Sequence, residues 1–496
     1  MSFFVNFPLF CIVGGLLCSV ISSMLPARGA RILSLTLTAT VCTACLLLLY
    51  YVNQTGEAVT YLMGHYPHPW GNELRFGRLE PLYGAAFSAV MLLCILGGKK
   101  QLAHDLQPSK QNLYYVLCDL VLTALLALAF TNDVFTGYVF IEICTLASCG
   151  LLMIRQLGRT TLASVRYMIF SLLGSGLFLL GIVMLYEMTG HLLMPNLRET
   201  IAQLWQSGRY HTALTASICL ITIGLAVKSG LFPFHFWMPD TYGCATPCSS
   251  GILSGLVSKG YIFLLLKLIF NVFGEQVFYA CGVQNVLYGL GVAAMVVGSV
   301  SAILENDIFR MIAFSSAAQI GYIFMGIGIS PELGVQASLL HILTHALTKP
   351  LLFLSAAQLS DAMGGRKRFR ELQGAALANP IAGAAFAVGS FSMIGLPLTI
   401  GMISKYLFAE AAFLSGVRMI PTLLVLAVST VLNAFYFTRT LIRIYNRPMQ
   451  ALPTHVTLRQ QPSYAISAAA FSGMILALGI AAQPVVSLLR RGLELF

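Results

Sequence analysis

Long apolar runs alternate with short polar segments along most of the chain. A run of about 18 or more apolar residues is long enough to cross the hydrocarbon core of a bilayer as a helix. The pattern predicts about fourteen transmembrane helices and therefore an all-α, polytopic membrane protein. The predicted helix centres are Val13, Thr40, Val90, Leu125, Tyr138, Leu177, Ile221, Ile262, Val292, Ile320, Leu352, Val388, Leu426 and Met474.

The composition supports the membrane assignment. Hydrophobic residues make up 57% of the chain and charged residues only 9%, whereas about a quarter of the residues of a soluble domain are charged. Polar linkers are short except at residues 53–79, 191–210 and 446–463. The middle linker has apolar residues at helical spacing, which predicts a helix lying along the membrane surface.

The net charge of +11 follows from membrane topology, because cytoplasmic loops carry an excess of Lys and Arg. The basic loops are the odd-numbered ones, so we expect these loops in the cytoplasm and both chain termini outside. This topology explains the positive net charge without a nucleic-acid partner. A basic loop could equally dock an acidic partner or lipid headgroups. No transit sequence is present, which favours a prokaryotic plasma membrane. The cations of this set include Arg28, Arg31, Lys99, Lys100, Lys110, Arg155, Arg159, Arg166, Arg310, Arg366, Lys367, Arg368, Arg370, Arg443, Arg447 and Arg459.

Three lysines lie in the middle of apolar stretches: Lys228, Lys259 and Lys405. A charged side chain at bilayer depth costs at least about 2.5 to 3.5 kcal/mol, so such residues usually face a hydrated interior and have a function. By contrast, we expect Lys267, Arg439 and Glu410 to extend to the membrane interface.

Glu142 is a second candidate, because its span has no other charge after Asp133. An isolated carboxylate in a low dielectric must be protonated or paired, and we expect its partner to be Lys228. Desolvation weakens the hold of a lysine on its proton and a nearby carboxylate strengthens it. Movement of Glu142 relative to Lys228 would therefore switch the lysine between holding and releasing a proton. The alternative is a structural ion pair that fixes helix register.

His341, His345 and Lys349 are spaced by four, which places them along one face of a helix. Histidine titrates near physiological pH, so the pair is a candidate proton relay. Satisfied core histidines are the alternative, and the lysine together with the missing glutamate of HExxH disfavours zinc. Together with Lys228, Lys259 and Lys405, these residues suggest a row of protonatable groups across the middle of the bundle.

Cofactor signatures are missing from the sequence. The twelve cysteines are scattered and suit helix packing, and there is no haem, iron–sulfur or dinucleotide motif. We therefore expect no cofactor and no metal. A zinc clip of Cys244 and Cys248 with His235 and Asp240 is an open alternative.

Two segments resemble halves of a repeat. SGLFP follows Lys228, and GLP, which contains Gly395 and Pro397, precedes Lys405. Paired interrupted helices are typical of inverted-repeat transporters with a site near the midplane. Chance similarity of two Gly-Pro breaks is the alternative.

The segment KSGLFPFHFWMPDTYGCATPCSSGILSGLVSK resembles the signature of the antiporter-like subunits shared by respiratory complex I, Mrp-type sodium/proton antiporters and membrane-bound hydrogenases. NDIFRMIAFSSAAQIGYIFMG, HILTHALTKPLLFLSA and GLPLTIGMISKYLF are similar to further blocks of that family, so the resemblance covers about residues 110–445. One departure is ATPCSSG, where the family often has APTPVSA. The matching signature residues are Lys228, Pro233, His235, Trp237, Pro239, Asp240 and Lys259.

The resemblance implies a fourteen-helix bundle with two inverted five-helix repeats and broken helices. It implies that Glu142 and Lys228 form the family's glutamate–lysine pair. Lys259 would be the family's bridging lysine, and Lys405 would be the lysine of the second half. His341 and His345 would be the relay histidines. The implied domains are 1–110 (about three peripheral spans), 111–272 (first repeat), 273–445 (second repeat) and 446–496 (last span).

Three hypotheses for function follow. The first is a subunit of a multisubunit membrane complex that moves protons, or exchanges sodium for protons, and that has no catalytic chemistry of its own. The second is a quinone-binding redox subunit. The third is a free-standing carrier of an anion such as bicarbonate.

Overall fold

A computed structural model of the chain describes residues 6–66, 71–447 and 456–496. Within these ranges the protein is almost entirely helical, with one two-stranded sheet. The helices in chain order are α1 (Phe7–Met24), α2 (Ala27–Thr55), α3 (Leu79–Gly97), α4 (Lys99–Asp105), α5 (Gln111–Phe130), α6 (Val134–Met153), α7 (Gly158–Thr189), α8 (Met194–Gln206), α9 (His211–Ser229), α10 (Trp237–Cys244), α11 (Pro247–Ile252), α12 (Ser258–Leu268), α13 (Glu275–Ala280), α14 (Val283–Leu304), α15 (Ile308–Ile329), α16 (Leu333–Ala362), α17 (Ala375–Ala378), α18 (Pro380–Ile394), α19 (Ile400–Phe413), α20 (Met419–Tyr445), α21 (Pro462–Ile480) and α22 (Gln483–Leu493).

The predicted number of spans is confirmed. Thirteen helices of the described part are long and apolar enough to cross a membrane. The fourteenth span is interrupted: α18 has 15 residues and is too short alone, and α19 continues it after a break. Each predicted centre lies inside a helix, because long apolar runs must keep their backbone hydrogen bonds within the segment when they lie in lipid.

One span contains two π-helical segments. Leu253–Val257 joins α11 to α12, and Ile269–Phe273 follows α12. Helices α11 and α12 and the two π segments together form one membrane-spanning unit, Pro247–Phe273, that is completely buried inside the bundle. Such π segments are frequent at functional sites, and here they flank Lys259.

The odd-numbered loops lie on one face of the bundle, and the even-numbered loops lie on the opposite face. On one face Arg155 Nη2 lies 3.2 Å from Asp105 Oδ1, and Lys367 Nζ donates to the Gly243 carbonyl at 3.1 Å. We call this the basic face, after the loops at residues 98–110, 154–157 and 363–374. On the other face, strands β1 (Val59–Leu62) and β2 (Glu73–Phe76) pair antiparallel. This hairpin face also contains α22.

The long linkers fold in different ways. The helix predicted within residues 191–210 is present as α8, and its position along the membrane surface stays a prediction. Linker 53–79 contains the β1–β2 hairpin, with Val59 opposite Phe76 and Leu62 opposite Glu73. Part of the predicted linker 446–463, namely residues 448–455, lies outside the described residues.

Ten of the spans in the described residues form two sets of five. Residues 111–272 hold α5, α6, α7, the interrupted α9–α10 and the α11–α12 span, and residues 273–445 hold α14, α15, α16, the interrupted α18–α19 and α20. Five is odd, so the second set starts on the opposite face from the first. The interruption is the fourth span in each set. This arrangement agrees with inverted repeats, and the exact domain boundaries stay a prediction.

Candidate functional site

The first interrupted span places Lys228 near the middle of the bundle. Helix α9 ends at Ser229, and Gly230 has φ 78°, a left-handed conformation that glycine adopts without steric cost. The chain then passes through a cis Phe232–Pro233 peptide before α10 begins at Trp237. Lys228 is thus fixed in the last turn of a half-helix.

The predicted contact of Lys228 with Glu142 is present. The Nζ atom lies 3.3 Å from Glu142 Oε1 and donates to Thr145 Oγ1 at 2.8 Å. The lysine side chain is fully buried, whereas 24% of the glutamate side chain is exposed. Ser175 donates to the same glutamate oxygen, and Ser171 Oγ lies 3.5 Å from the ammonium. The ammonium is therefore shared between one carboxylate and neutral hydroxyl groups.

Lys259 is buried without a carboxylate partner within ion-pair distance in the described ranges. Its ammonium donates to the Ser254 carbonyl and to Ser258 Oγ, the latter at 3.0 Å. Ser254 belongs to the first π segment, and its carbonyl also accepts from Ser258 Oγ at 3.5 Å. A backbone carbonyl and a hydroxyl group thus hold this ammonium in the place of a carboxylate.

Close packing brings this π segment onto α16. A Cβ added at Gly255 would lie 2.8 Å from Pro350 Cγ, so only glycine allows this approach. Ser254 Oγ is also 2.9 Å from Ser316 Oγ of α15. The segment around Lys259 therefore lies against the helix that contains the two histidines.

The residues His341, His345 and Lys349 lie along one face of α16, as predicted, and all are buried. His341 Nδ1 is 3.0 Å from Ser404 Oγ, and Lys349 donates to the Ile312 carbonyl at 3.0 Å and to Ser315 Oγ. The ring nitrogens of His345 have no hydrogen-bond partner in the described part of the chain. Such buried polar atoms need an explanation.

The second interrupted span positions Lys405. Helix α18 ends at Ile394, Gly395 has φ 88°, and the break at residues 395–399 contains Pro397. Lys405 Nζ reaches back to the Ile394 carbonyl at 2.7 Å, and it also donates to Thr430 Oγ1 at 3.1 Å. The last carbonyls of a helix have no intrahelical donors and carry partial negative charge. They therefore stabilise this ammonium.

The remaining signature residues lie in or near α10. His235 is buried between aromatic rings, and both its ring nitrogens lack a partner in the described part. Trp237 packs on Tyr167. Pro239 and Asp240 line a cavity of about 490 Å³ at the basic face. These residues are therefore not part of the lysine–histidine row.

Asp240 links three helices at the basic face. Arg310 Nη1 of α15 lies 2.6 Å from Asp240 Oδ1, and Arg166 of α7 pairs with its other oxygen. The alternative zinc clip is not formed, because the described residues contain no group of three metal-ligating side chains. Cys248 instead donates to the Cys94 carbonyl at 3.1 Å.

The interpretation of Lys267 as an interfacial side chain is wrong. Its side chain is fully buried, and Nζ lies 3.7 Å from Glu80 Oε1, which is also fully buried. The spacing in the sequence could have indicated this burial, since Lys267 follows the buried Lys259 by eight residues on the same helix. Asp119 of α5 is also buried and accepts a hydrogen bond from Ser22 at 3.1 Å.

A bundle of fourteen spans with two interrupted helices and a buried series of lysines and histidines defines an antiporter-like membrane subunit. The chain belongs to the family described as NADH:quinone oxidoreductase/Mrp antiporter, TM, whose model matches residues 131–432.

Individual relatives agree with this family. NADH-quinone oxidoreductase subunit N of Desulforudis audaxviator is 32% identical, over 82% of this chain and 79% of that protein. A Na(+)/H(+) antiporter subunit of Alkalihalophilus pseudofirmus is 25% identical, over 73% of this chain and 71% of that protein.

Solved structures share the fold. A chain of the Mrp complex from Dietzia sp. has a TM-score of 0.87 at 22% identity, covering 100% of this chain and 97% of its own length. A chain of the archaeal membrane-bound sulfane sulfur reductase has a TM-score of 0.87 at 23% identity, covering 99% and 96%. These likenesses concern the fold.

Proposed function

We propose that this protein conducts protons, alone or in exchange for sodium, as a subunit of a multisubunit membrane complex. Family membership supports the class of function. The observation that carries the mechanism is the fully buried Lys228 ammonium, 3.3 Å from Glu142 Oε1 and 2.8 Å from Thr145 Oγ1.

The Lys228–Glu142 pair is the proposed switch. The Coulomb attraction between the two charges weakens with distance and is stronger in a low dielectric than in water. Glu142 is the partly exposed member, so it can move while Lys228 stays fixed at the end of α9. Separation leaves the ammonium with only neutral hydroxyl acceptors, and its proton is then released toward Lys259.

The proton continues through the buried groups of the second half. The ring centroids of His341 and His345 are 6.5 Å apart, which is too far for a direct hydrogen bond. Bridging water would carry the proton between these rings. The unpaired nitrogens of His345 are suitable partners for such water. Lys405, 3.1 Å from Thr430 Oγ1, is the proposed last site of the row.

Energy for transport comes from partner subunits or from an ion gradient. Moving one charge against 100 mV requires about 2.3 kcal/mol. The relatives named above are subunits of NADH-quinone oxidoreductase and of a Na(+)/H(+) antiporter. We therefore infer that other membrane subunits supply the driving reaction and that H⁺, and in an antiporter Na⁺, are the transported ions.

The proposed location is the plasma membrane, with the basic face in the cytoplasm, because Lys and Arg are retained on the cytoplasmic side. An even number of spans puts both chain ends on the same face, and both are then outside.

Substitution of the switch residues tests this function. We expect K228A and E142A each to abolish coupled proton movement in vesicles that contain the assembled complex, while co-purification of the partner subunits is retained. K100A and E187A are matched controls, because both residues are exposed, and they should transport at the wild-type rate. Wild-type transport by K228A in an assembled complex would disprove the mechanism.

A further inference from the structure

We propose that a second proton branch leaves the row at Lys259 and runs along α12 to the hairpin face, where the buried Lys267–Glu80 pair is its proton-release site. The branch rests on the proposed function, because it needs protons to reach Lys259. It assigns a role to an ion pair that the row does not use.

The branch follows one side of the α12 span. Lys259, Phe263 and Lys267 are spaced by four within a regular helical segment, so their side chains lie above one another. Eight residues of α-helix rise about 12 Å. Asn271, in the second π segment, continues the same spacing toward the hairpin face. A lysine near the middle of the bundle and a lysine near one face are thus joined by a single line of side chains.

The far end of this line is an ion pair in a fully buried environment. Lys267 Nζ lies 3.7 Å from Glu80 Oε1 and donates to the Ala129 carbonyl at 2.7 Å. Glu80 Oε2 accepts from the Gly77 backbone N–H at 2.7 Å. The facing oxygen, Oε1, has no hydrogen-bond donor in the described residues, so it is free to accept a proton.

Burial of both charges calls for a functional reason. Two apolar residues of similar size often stabilise a core as well as a buried ion pair does, and charges within membrane spans usually mark ion pathways. The pair lies at the start of α3 and near the end of α12, next to the hairpin rather than among lipids.

Aromatic rings separate the two lysines. The Phe263 ring lies between them in the line, with its centroid 4.5 Å from that of Tyr83 and 5.5 Å from that of Phe496. The Tyr83 hydroxyl donates to the Leu339 carbonyl of α16 at 2.7 Å, which fixes its ring. We call Phe263, Tyr83 and Phe496 the aromatic barrier. It closes the line to water, so protons pass only when Phe263 turns aside.

Polar groups continue from the pair to the hairpin. Arg75 of β2 donates through Nη2 to the Leu495 carbonyl at 2.7 Å. When the Asn271 amide is oriented to satisfy its neighbours, it donates to the Phe496 carbonyl at 2.9 Å and accepts from Arg75 Nη1 at 3.1 Å. The release site connects to the hairpin face through Gly77, which follows β2 and whose N–H donates to Glu80 Oε2 at 2.7 Å.

The proton balance of the release step is simple. An N–H bond of the Lys267 ammonium breaks and an O–H bond forms at Glu80 Oε1, which leaves both groups neutral. Glu80 then gives this proton to water at the hairpin face. Lys267 takes a new proton from Lys259 when the aromatic barrier opens, which restores the ion pair.

A double substitution separates this role from a structural one. If the pair only fastens α3 to α12, the variant E80Q/K267M, which removes both charges and keeps the volumes, should assemble and transport normally. If the pair releases protons, the same variant should assemble, but loss of a positioned proton-transfer group should slow this branch by roughly 100-fold. The total coupled proton flux should then fall to the share that the row through Lys405 still carries. D105N/R155Q removes an ion pair at the basic face and is the matched control.

A second variant tests the barrier independently of the charges. F263A should raise the passive proton leak of liposomes that contain the purified complex, whereas F278A, which removes another buried ring near the hairpin face, should not. If E80Q/K267M does not assemble, the leak assay of F263A still tests the branch. A leak equal to that of the wild type in F263A would overturn the branch.

K228A, assayed in parallel, separates failure of the branch from failure of the proposed function. Loss of flux in K228A together with wild-type flux in E80Q/K267M would overturn only the branch. Retained flux in K228A would overturn the proposed function, and the branch with it. Loss of flux in K228A and reduced flux in E80Q/K267M, with the leak of F263A, supports the branch.

Discussion

The buried lysines are stabilised in two different ways. Lys228 and Lys267 each lie near a carboxylate, at 3.3 and 3.7 Å. Lys259 and Lys405 have only hydroxyl and carbonyl acceptors in the described part. A carboxylate favours the charged ammonium more strongly than a neutral acceptor does. We therefore expect Lys228 and Lys267 to release a proton only when the paired carboxylate moves away or accepts that proton, and Lys259 and Lys405 to pass protons on more readily.

Substitution of single residues tests the interaction between Lys228 and Glu142. E142Q leaves the ammonium without its counter-charge, and removal of one partner of a buried ion pair costs about 3 kcal/mol or somewhat less at this partly exposed site. The double variant K228M/E142Q removes both charges, so it should recover most of the thermal stability lost in E142Q. Neither variant should transport protons.

Thermal unfolding in detergent and proton flux in vesicles measure the two effects separately. A double variant as unstable as E142Q would show that the charges do not interact. Proton flux in K228M/E142Q would show that the pair is dispensable for transport.

Among the structural elements, the two half-helix breaks position the lysines differently. Lys228 belongs to the half-helix before its break, and Lys405 to the half-helix after its break. Lys405 nevertheless reaches the last carbonyls of α18, because its side chain passes directly over Gly395. In both spans a lysine thus lies close to the place where the helix is interrupted.

The close contact at Gly395 predicts a specific effect of substitution. In G395A the added Cβ would lie 2.8 Å from Lys405 Cδ, and a non-glycine residue with left-handed φ costs about 1 to 2 kcal/mol. We expect displacement of Lys405, a reduced proton flux and reduced thermal stability.

G190A is the matched control for this prediction. Gly190 has φ 69° and an added Cβ would meet no atom within 4 Å. The control should therefore lose a similar amount of stability but keep its proton flux. Equal flux in the two variants would contradict the proposed position of Lys405.

For the whole molecule, the two faces predict a topology. A reporter enzyme that is active only outside the cytoplasm, inserted at residues 56–58 of the hairpin face, should be active, and the same reporter at residues 364–365 of the basic face should be inactive. A fluorescent reporter that folds only in the cytoplasm should give the opposite pattern. The reverse result at both positions would contradict the predicted orientation.

Several features of the site could be predicted from sequence. The spacing of His341, His345 and Lys349 fixes a common helix face, and the cost of an unpaired charge in lipid makes Glu142 and Lys228 natural partners. The sequence could not reveal that Lys267 pairs with Glu80. These residues are 187 positions apart in the chain, and a lysine near a helix end can reach either water or a buried partner.

The apolar runs determined the number of spans and their approximate centres, because lipid leaves a chain no other way to satisfy its backbone. The positions of Lys and Arg determined the alternation of basic loops. Tertiary structure alone decided which oxygens hold each ammonium: the Ser254 carbonyl for Lys259, the Ile394 carbonyl for Lys405 and the Glu80 carboxylate for Lys267. Those choices depend on how helices distant in sequence approach one another, and on π segments and breaks whose geometry arises only when the helices are packed.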